Sequence, residues 1–354
     1  MQPKVSIVIP CYNVERYVRE CMQSVVSQTL QDIEIICIND GSTDSTGEIL
    51  REFASKDNRI NLIEQSNGGY GVAVNRGIAQ ARGEYIGIVE SDDFINPTMY
   101  EKLYTKAKQT NAELVKCNFF VYDSHSKVQN KLWKDNKQNL SNAPSGIFNP
   151  CKDFPQIFYF HASIWAGIYK ADFIKQIKLL ETAGAAYQDF PFAMEILTKT
   201  TKMAVIKEPL YHWRMELNQN NSTQTNPEKL TRMANMTLMS AQVLARENVL
   251  DELKEYFFYH AAMANIGFFD KQSLKGRRIY AHKMYEVFAL YKNPQFTHFK
   301  PKLKVWTQTI MQGKVPKLSF KEFRRRVFRL RFRKDEIHIK LGNFEIKNSF
   351  ANEL

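Results

Sequence analysis

Short apolar strands alternate with amphipathic helices through the first 121 residues, and no other feature of the sequence constrains the fold as strongly. The helices between the strands are about 10–15 residues long, which is typical of βαβ units. We therefore predict an α/β fold whose mostly parallel sheet is flanked by helices. The predicted strands are Val5–Ile9, Ile33–Ile38, Ile60–Ile63, Tyr85–Val89 and Leu114–Val121.

Polar or glycine-rich segments follow the first four of these strands. Parallel sheets bind ligands in the crevice beyond the carboxyl ends of their strands. We therefore expect these segments to converge on one site. They are Pro10–Asn13, Asn39–Asp44, Gln65–Gly71 and Glu90–Asp93.

The last of these segments, Glu90-Ser91-Asp92-Asp93, places three carboxylates at the end of an apolar strand. Their mutual repulsion is costly unless a cation or hydrogen bonds neutralise it. Oxygen ligands of this kind suit Mg²⁺ or Mn²⁺, which takes one or two carboxylates together with a substrate diphosphate. The alternative is an acidic turn in which Asp93 caps the next helix.

Asp40 and the glycines of Asn67–Gly71 offer two further ligand contacts. The Asp40 carboxylate can accept the imide N–H of uracil. It can instead belong to an Asx-turn before the next helix, where Ser45 and Glu48 form a capping-box pattern. The glycines either let the backbone approach an anionic ligand at a helix N-terminus or form a flexible turn.

The composition excludes a disordered or fibrous chain, because hydrophobic residues make up 44% and charged residues 24% of the 354 residues. No apolar run approaches the ~18 residues of a membrane span, and the N-terminus reads as a strand rather than a secretory signal. The five cysteines form no CxxC pair. We therefore expect a reducing cytoplasm without a zinc site or a disulfide framework, and we expect Cys37 and Cys117, which lie in apolar runs, to be buried.

Most of the net charge of +12 lies near the C-terminus, where Lys300–Lys347 holds 15 basic and 4 acidic residues. Apolar residues at helical spacing within Phe320–Leu330, surrounded by arginines, predict a basic amphipathic helix over Ser319–Lys334. A short hairpin around Gly342-Asn343 follows it. Such a helix favours an anionic membrane surface. The alternatives are a solvated helix packed on the protein and a nucleic-acid-binding tail, which no recognised module supports.

The order and spacing of the motifs resemble the inverting nucleotide-sugar glycosyltransferases of family 2, which have the GT-A fold. The resemblance covers residues up to about 120 and continues more loosely to about Ser222. It rests on Val5–Asn13, Asn39–Asp44, Asn67-Gly68-Gly69, Asn75-Arg76-Gly77 and Ser91-Asp92-Asp93.

The resemblance implies transfer of a sugar from a UDP-sugar to a glycan or lipid-linked glycan, in the synthesis of a capsule-like or lipopolysaccharide-like surface polymer. Asp92 would bind the metal ion, Mn²⁺ or Mg²⁺. Glu90 stands where the family usually has an Asp near the ribose, and Val74 stands where it often has an Arg. The implied nucleotide-sugar contacts are Pro10, Tyr12, Asn13, Asp40, Gly68, Gly69, Asn75, Glu90, Ser91, Asp92 and Arg214.

Three residues further along the chain complete the implied site. Asp189 would take the proton of the acceptor hydroxyl, or it only caps the helix that runs to Lys199. Arg214 would pair with phosphate oxygens from a loop that closes over the diphosphate. Trp165 is either a platform for the acceptor sugar or a core residue.

We predict a GT-A catalytic domain over 1–226, with a nucleotide-binding half at 1–121 and an acceptor-side half at 122–226. A helical region at 227–318, with about three helical segments between Pro227 and Tyr291, precedes the tail at 319–354. The expected protein is cytoplasmic and peripheral on the inner face of the cell membrane, with no nucleic-acid partner. Its oligomeric state stays open, since the aromatic-rich helices after Pro227 could pair two chains. The alternative function is a noncatalytic nucleotide- or glycan-binding module with a degenerate site, which Glu90 and Val74 favour.

Overall fold

The computed structural model describes residues 2–122, 131–132, 140–159, 163–181, 186–214, 227–316, 328–333, 336–341 and 344–349. The parts of the predictions that concern residues 215–226 and 319–327 lie outside them. No helix of the described residues is both long and apolar enough to cross a membrane.

One sheet contains the strands β1 (Val5–Cys11), β2 (Ile33–Asp40), β3 (Ile60–Gln65), β4 (Tyr85–Ile88), β5 (Phe94–Ile95), β6 (Leu114–Tyr122), β7 (Lys131–Leu132), β8 (Gly167–Lys170) and β9 (Met203–Arg214). They follow the order β3-β2-β1-β4-β8-β6-β9-β5, with β7 beside β6.

The sheet is parallel in its first half and mixed in its second. β1 pairs in parallel with β2 and β4, and β2 pairs in parallel with β3. Beyond β4, β8 runs antiparallel to both of its neighbours, whereas β6 and β9 are parallel. The predicted α/β architecture is confirmed, and the middle of the chain, which has no clear period in the sequence, supplies β8 and β9.

Helices cover both faces of this sheet. They are α1 (Val18–Val26), α2 (Thr46–Lys56), α3 (Tyr70–Gln80), α4 (Met99–Thr110), α5 (Pro150–Asp153), α6 (Ala171–Ile174), α7 (Asp189–Lys199), α8 (Pro227–Arg246), α9 (Leu250–Lys271), α10 (Leu274–Ala289) and α11 (Pro301–Met311). The three predicted C-terminal helices are therefore α8, α9 and α10, and α11 is an additional one.

The alternation of β1 divides the core into two layers. Val8 lies in the cluster beneath α3, whereas Ile7 and Ile9 lie in the cluster beneath α1 and α4, because successive side chains of a strand point to opposite faces. The layer that contains Val8 continues through α7 to Phe257 and Trp306 in the helical region. The helical region therefore shares its hydrophobic core with this sheet. All five cysteines are buried and free, and the expected burial of Cys37 and Cys117 is confirmed.

Two local predictions are wrong. The predicted capping box does not form, because Ser45 makes no side-chain cap bond. The N–H of Thr46 instead donates to Oδ1 of Asp44 at 3.0 Å. Both Asp and Ser can cap a helix, and here the residue one position earlier reaches the free N–H.

The predicted amphipathic helix of the tail is also wrong where the structure describes it, because Phe328–Arg333 forms strand β10. β10 pairs antiparallel with β11 (Glu336–Leu341), which pairs with β12 (Phe344–Ser349), so the predicted hairpin is confirmed. The letters Phe-Arg-Leu-Arg-Phe-Arg alternate with period two, and pairing with β11 satisfies this period rather than the helical one.

Candidate active site

The acidic segment Glu90–Asp93 follows β4 and is tied to the end of β9. The Asp93 carboxylate is buried, and it accepts hydrogen bonds from the Tyr211 hydroxyl and from the backbone N–H of Arg214, both at 2.7 Å. The same Tyr211 oxygen accepts the backbone N–H of Glu90 at 3.1 Å. Asp93 therefore anchors the segment to β9, and it does not cap α4, whose N-cap is Thr98.

Arg214 lies against the inner side of this segment. Its Nε donates to the backbone carbonyl of Asp92 at 2.8 Å, and its guanidinium forms an ion pair with Glu20. The same guanidinium lies 5.2 Å from the ring centroid of Tyr17 and 5.6 Å from that of Phe94. Arg214 closes β9 instead of belonging to a loop, and its described contacts support the acidic segment. Its predicted contact with phosphate stays a prediction.

Tyr70, the first residue of α3, hydrogen bonds to the acidic segment, and the charge of Asp189 acts on its phenol. Its hydroxyl donates a short hydrogen bond to the Glu90 carboxylate. Burial, the charge of Glu90 and then that of Asp189 hold the pKa of the Tyr70 phenol well above its usual value. Tyr70 therefore stands within electrostatic reach of carboxylates from both halves of the catalytic part, and the sequence offers no signal for this beyond its place after the glycines.

Burial raises the pKa of two carboxyl groups, those of Asp189 and Glu90. The pKa of Asp189 rises to about 6, although the backbone N–H groups of Asp189 and Phe190 hydrogen bond to its carboxylate and oppose the shift. The pKa of Glu90 rises to about 8, because the charges of Asp92 and Asp189 add to the effect of burial. A carboxylate whose pKa is near 6 is ionised at neutral pH and is still basic enough to accept a proton.

Asp40 organises the glycine segment that follows β3. Its Oδ1 accepts the side-chain amide of Gln65 at 2.6 Å and the N–H of Gly68 at 2.9 Å, and its Oδ2 accepts the N–H of Gly69 at 2.8 Å. Since each carboxylate oxygen accepts about two hydrogen bonds, Oδ2 keeps one lone pair for a ligand. The structure thus gives Asp40 a role in the loop and leaves the predicted uracil contact open to it.

The predicted uridine contacts at the end of β1 include an exposed aromatic ring, that of Tyr12. Tyr12 is 50% exposed, which is unusual for so large a side chain. Asn13 has a φ of 50°, and its Oδ1 accepts the N–H of Thr43 at 2.8 Å. Pro10 pairs with Ile38 inside the sheet. Ser91 is buried and hydrogen bonds to Cys11.

Asn75 is engaged with the chain that leads toward α7. Its side-chain amide donates to the carbonyl of Leu179 at 2.8 Å and to Glu181, and its Oδ1 accepts the N–H of Leu179 at 2.9 Å. Val74 is fully buried, and Arg76 donates to Oε1 of Gln65 at 2.8 Å. The predicted nucleotide contact of Asn75 stays a prediction beside this observed role.

Trp165 packs inside an aromatic group behind the acidic segment. Its ring stacks on Tyr211 with centroids 4.4 Å apart, and it meets Phe119 edge-to-face at 4.9 Å and Trp213 at 6.1 Å. These contacts favour the core alternative for Trp165, although the ring is not fully buried.

The two acidic neighbours of Asp92 have their carboxylates engaged, and the predicted metal contact of Asp92 stays a prediction. Tyr211 and Arg214 occupy the Asp93 carboxylate, and Tyr70 occupies that of Glu90. No group of three or more metal-ligating side chains occurs among the residues that the structure describes. One carboxylate is enough for Mg²⁺ or Mn²⁺ when a diphosphate supplies further oxygen ligands.

Comparison with known proteins places this site in a wider group. Residues 6–172 match the model of glycosyl transferase family 2. The glycosyltransferase EpsJ of Bacillus subtilis is 33% identical over 216 residues, which cover 60% of this chain and 62% of EpsJ. A poly(ribitol-phosphate) beta-glucosyltransferase of Bacillus spizizenii is 31% identical over 218 residues, 59% of this chain and 32% of that protein. The chain thus matches less than two thirds of the length of these relatives.

A solved structure shares the fold over almost the whole chain. Residues 1–349 of S. aureus TarS, in complex with UDP-GlcNAc, superpose with a TM-score of 0.70 at 18% sequence identity. The match covers 99% of this chain and 100% of that one. It confirms the expected GT-A architecture together with the helical C-terminal region.

Proposed function

Because residues 6–172 match the model of glycosyl transferase family 2, we propose that this chain transfers a sugar from a UDP-sugar to a hydroxyl group of a glycan or lipid-linked glycan, with inversion at the anomeric carbon. Synthesis of a bacterial surface polysaccharide is the proposed setting. UDP-GlcNAc in the TarS complex and the glucosyl transfer named for the B. spizizenii relative support a UDP-sugar donor and a polymeric acceptor.

One juxtaposition carries this proposal. Tyr70 hydrogen bonds to Glu90 of the acidic segment, and the charge of Asp189, the first residue of α7, helps to raise the pKa of the Tyr70 phenol. A transferase must hold the leaving diphosphate and a base on opposite sides of the sugar's reactive carbon if that carbon is to invert. We assign these two sides to Asp92 and Asp189, which come from separate parts of the chain.

The proposed reaction assigns one task to each group. Asp189 accepts the proton of the acceptor hydroxyl as its oxygen attacks, a contribution that is worth about 10²–10⁴ in rate. Asp40 accepts the imide N–H of the uracil with its remaining lone pair, and the exposed ring of Tyr12 packs on the base. Asp92 would hold Mn²⁺ or Mg²⁺, which neutralises charge on the leaving diphosphate when bound.

UDP release from a set of UDP-sugars, with Mn²⁺ and candidate acceptor glycans, tests the proposal. We expect turnover with at least one donor, and we expect Asp92→Ala and Asp189→Asn to abolish it. Asp172→Asn is the matched control, because Asp172 is exposed in the first turn of α6, away from the site. Wild-type turnover in the Asp189→Asn variant would refute the role of Asp189.

Binding without chemistry is the alternative outcome. If calorimetry detects UDP binding while no donor is transferred or hydrolysed, the chain is a noncatalytic nucleotide-binding module. The engagement of Glu90 by Tyr70 and the burial of Val74 are the features that such a module would share.

We propose further that the protein acts at the inner face of the cell membrane through its basic C-terminal tail. The charge of Lys300–Lys347 supports this, because each basic residue near an anionic surface contributes up to about 1 kcal/mol. At low salt, the protein should sediment together with anionic lipid vesicles and disappear from the supernatant. A variant that ends at Ser319 should stay in solution, and equal sedimentation of both would contradict the proposal.

A further inference from the structure

A hydrogen-bonded link joins the start of α3 to the start of α7. Its centre is the carbonyl oxygen of Leu180, which accepts the side-chain amide of Gln188 at 2.8 Å. Gln188 is buried and directly precedes Asp189 in the chain. The position of Leu180 therefore bears directly on the residue that the proposed function makes the base.

α3 fixes Leu180 from the other side by close packing. A Cβ atom on Gly71 would lie 1.9 Å from the Leu180 carbonyl oxygen, so the backbone of α3 touches this carbonyl without any side chain between them. Only glycine permits that approach. Gly71 follows Tyr70, which holds Glu90, so the same turn of α3 contacts both the acidic segment and the segment before α7.

Asn75 secures the same segment one turn later in α3. It makes reciprocal hydrogen bonds with the backbone N–H and carbonyl of Leu179, in addition to its bond with Glu181. A side chain that pairs with both groups of one backbone residue fixes that residue in position as well as in orientation.

Contacts from neighbouring segments hold the start of α7. Tyr187 has a φ of 68°, in the left-handed region that is strained for a residue with a Cβ. Its ring packs edge-to-face on Phe268 of α9, with centroids 5.5 Å apart. Phe190 packs on Phe257 and His260 of the same helix. The helical region thus supports α7 on one side while the Leu180 link holds it on the other.

From these contacts we propose that Gln188 and Asn75 are positioning residues, which act through Leu179–Leu180 to set Asp189 relative to the donor site. The inference rests on the proposed function, because it takes Asp189 as the base. It assigns Asn75 a role in the placement of the base rather than in nucleotide contact. A misplacement of about 1 Å can reduce a rate about 10²-fold, so loss of the link should be visible in kcat.

The test compares Gln188→Met, which keeps the side-chain length but cannot donate, with Asn75→Ala and with the double variant. Gln176→Ala is the control, because exposed Gln176 donates its amide to a backbone carbonyl, that of Asp172, as Gln188 does to Leu180. We expect Gln188→Met and Asn75→Ala each to lower kcat by about 10–100-fold, whereas the control Gln176→Ala should not. The calorimetric affinity for UDP with Mn²⁺ should stay unchanged. Since both act on one segment, the double variant should lose less than the product of the two single losses.

Two results would overturn the inference. One is a kcat that is unchanged in Gln188→Met. The other is a fall in UDP affinity in Asn75→Ala with kcat preserved at saturating donor, since that pattern marks a nucleotide contact. Asp189→Asn in parallel separates the two levels: if that variant keeps wild-type turnover, the proposed function fails, whereas if it alone loses turnover, only the positioning inference fails.

Discussion

Replacing Tyr211 with Phe removes one oxygen from a fully buried side chain and keeps the ring that stacks on Trp165. That oxygen serves two buried groups, because it donates to the Asp93 carboxylate at 2.7 Å and accepts the N–H of Glu90 at 3.1 Å. A buried polar group that loses its partner costs about 1–3 kcal/mol, so Tyr211→Phe should destabilise the protein by about 2–6 kcal/mol. It should also reduce turnover, because it removes one hydrogen bond from each end of the segment that carries Asp92.

Tyr85→Phe is the matched control for this measurement. Tyr85 is equally buried, and its hydroxyl donates one hydrogen bond, at 3.0 Å, to the carbonyl of Ala112. We expect it to cost about 1–3 kcal/mol, roughly half of the Tyr211 effect, and to leave turnover unchanged. Chemical denaturation of the two variants beside the wild type measures the difference. If Tyr211→Phe shifts the denaturation midpoint no more than Tyr85→Phe does, the double role of the Tyr211 oxygen is refuted.

Three further predictions concern the base, the glycine contact and the uracil contact. As pH falls through about 6, kcat should fall, because protonated Asp189 cannot accept a proton. A pH profile of kcat that stays flat down to pH ~4, the ordinary pKa of an Asp side chain, would contradict this. Gly71→Ala should lower the melting temperature and the turnover, because its Cβ would collide with the Leu180 carbonyl, whereas Gly146→Ala meets no atom within 4 Å and should lower neither. Asp40→Asn should weaken UDP binding in calorimetry and abolish any preference for UDP over CDP, because the new amide N–H₂ must face a backbone N–H; unchanged affinity and preference would exclude Asp40 as the uracil contact.

The nucleotide half of the catalytic part could be predicted from the sequence because its signals are local. The apolar runs around Val8 and Ile36 are bounded by polar segments, and strands in parallel βαβ units must end at one edge of the sheet. The position of Glu90–Asp93 beside the Asn67–Gly69 segment follows from that rule. The alternation inside β1 likewise predicts two core layers.

The tail shows where local pattern is insufficient. Around Leu330, apolar residues fit both a helical spacing and a strict alternation, so the periodicity alone does not choose between helix and strand. Pairing of β10 with β11 decides for the strand. That choice depends on hydrogen bonds to residues whose partners the one-dimensional pattern does not identify.

The sequence by itself determined the sheet edge and the acidic segment, and Asp189 was indicated only by the family resemblance. The tertiary structure alone decided which groups these side chains touch. Tyr211 lies 118 residues from Asp93, and Asn75 lies 104 residues from Leu179, so neither contact leaves a spacing in the sequence that a periodic pattern could reveal. Long-range hydrogen bonds and close packing form only once the chain has folded, and it is these contacts that hold the acidic segment and the start of α7.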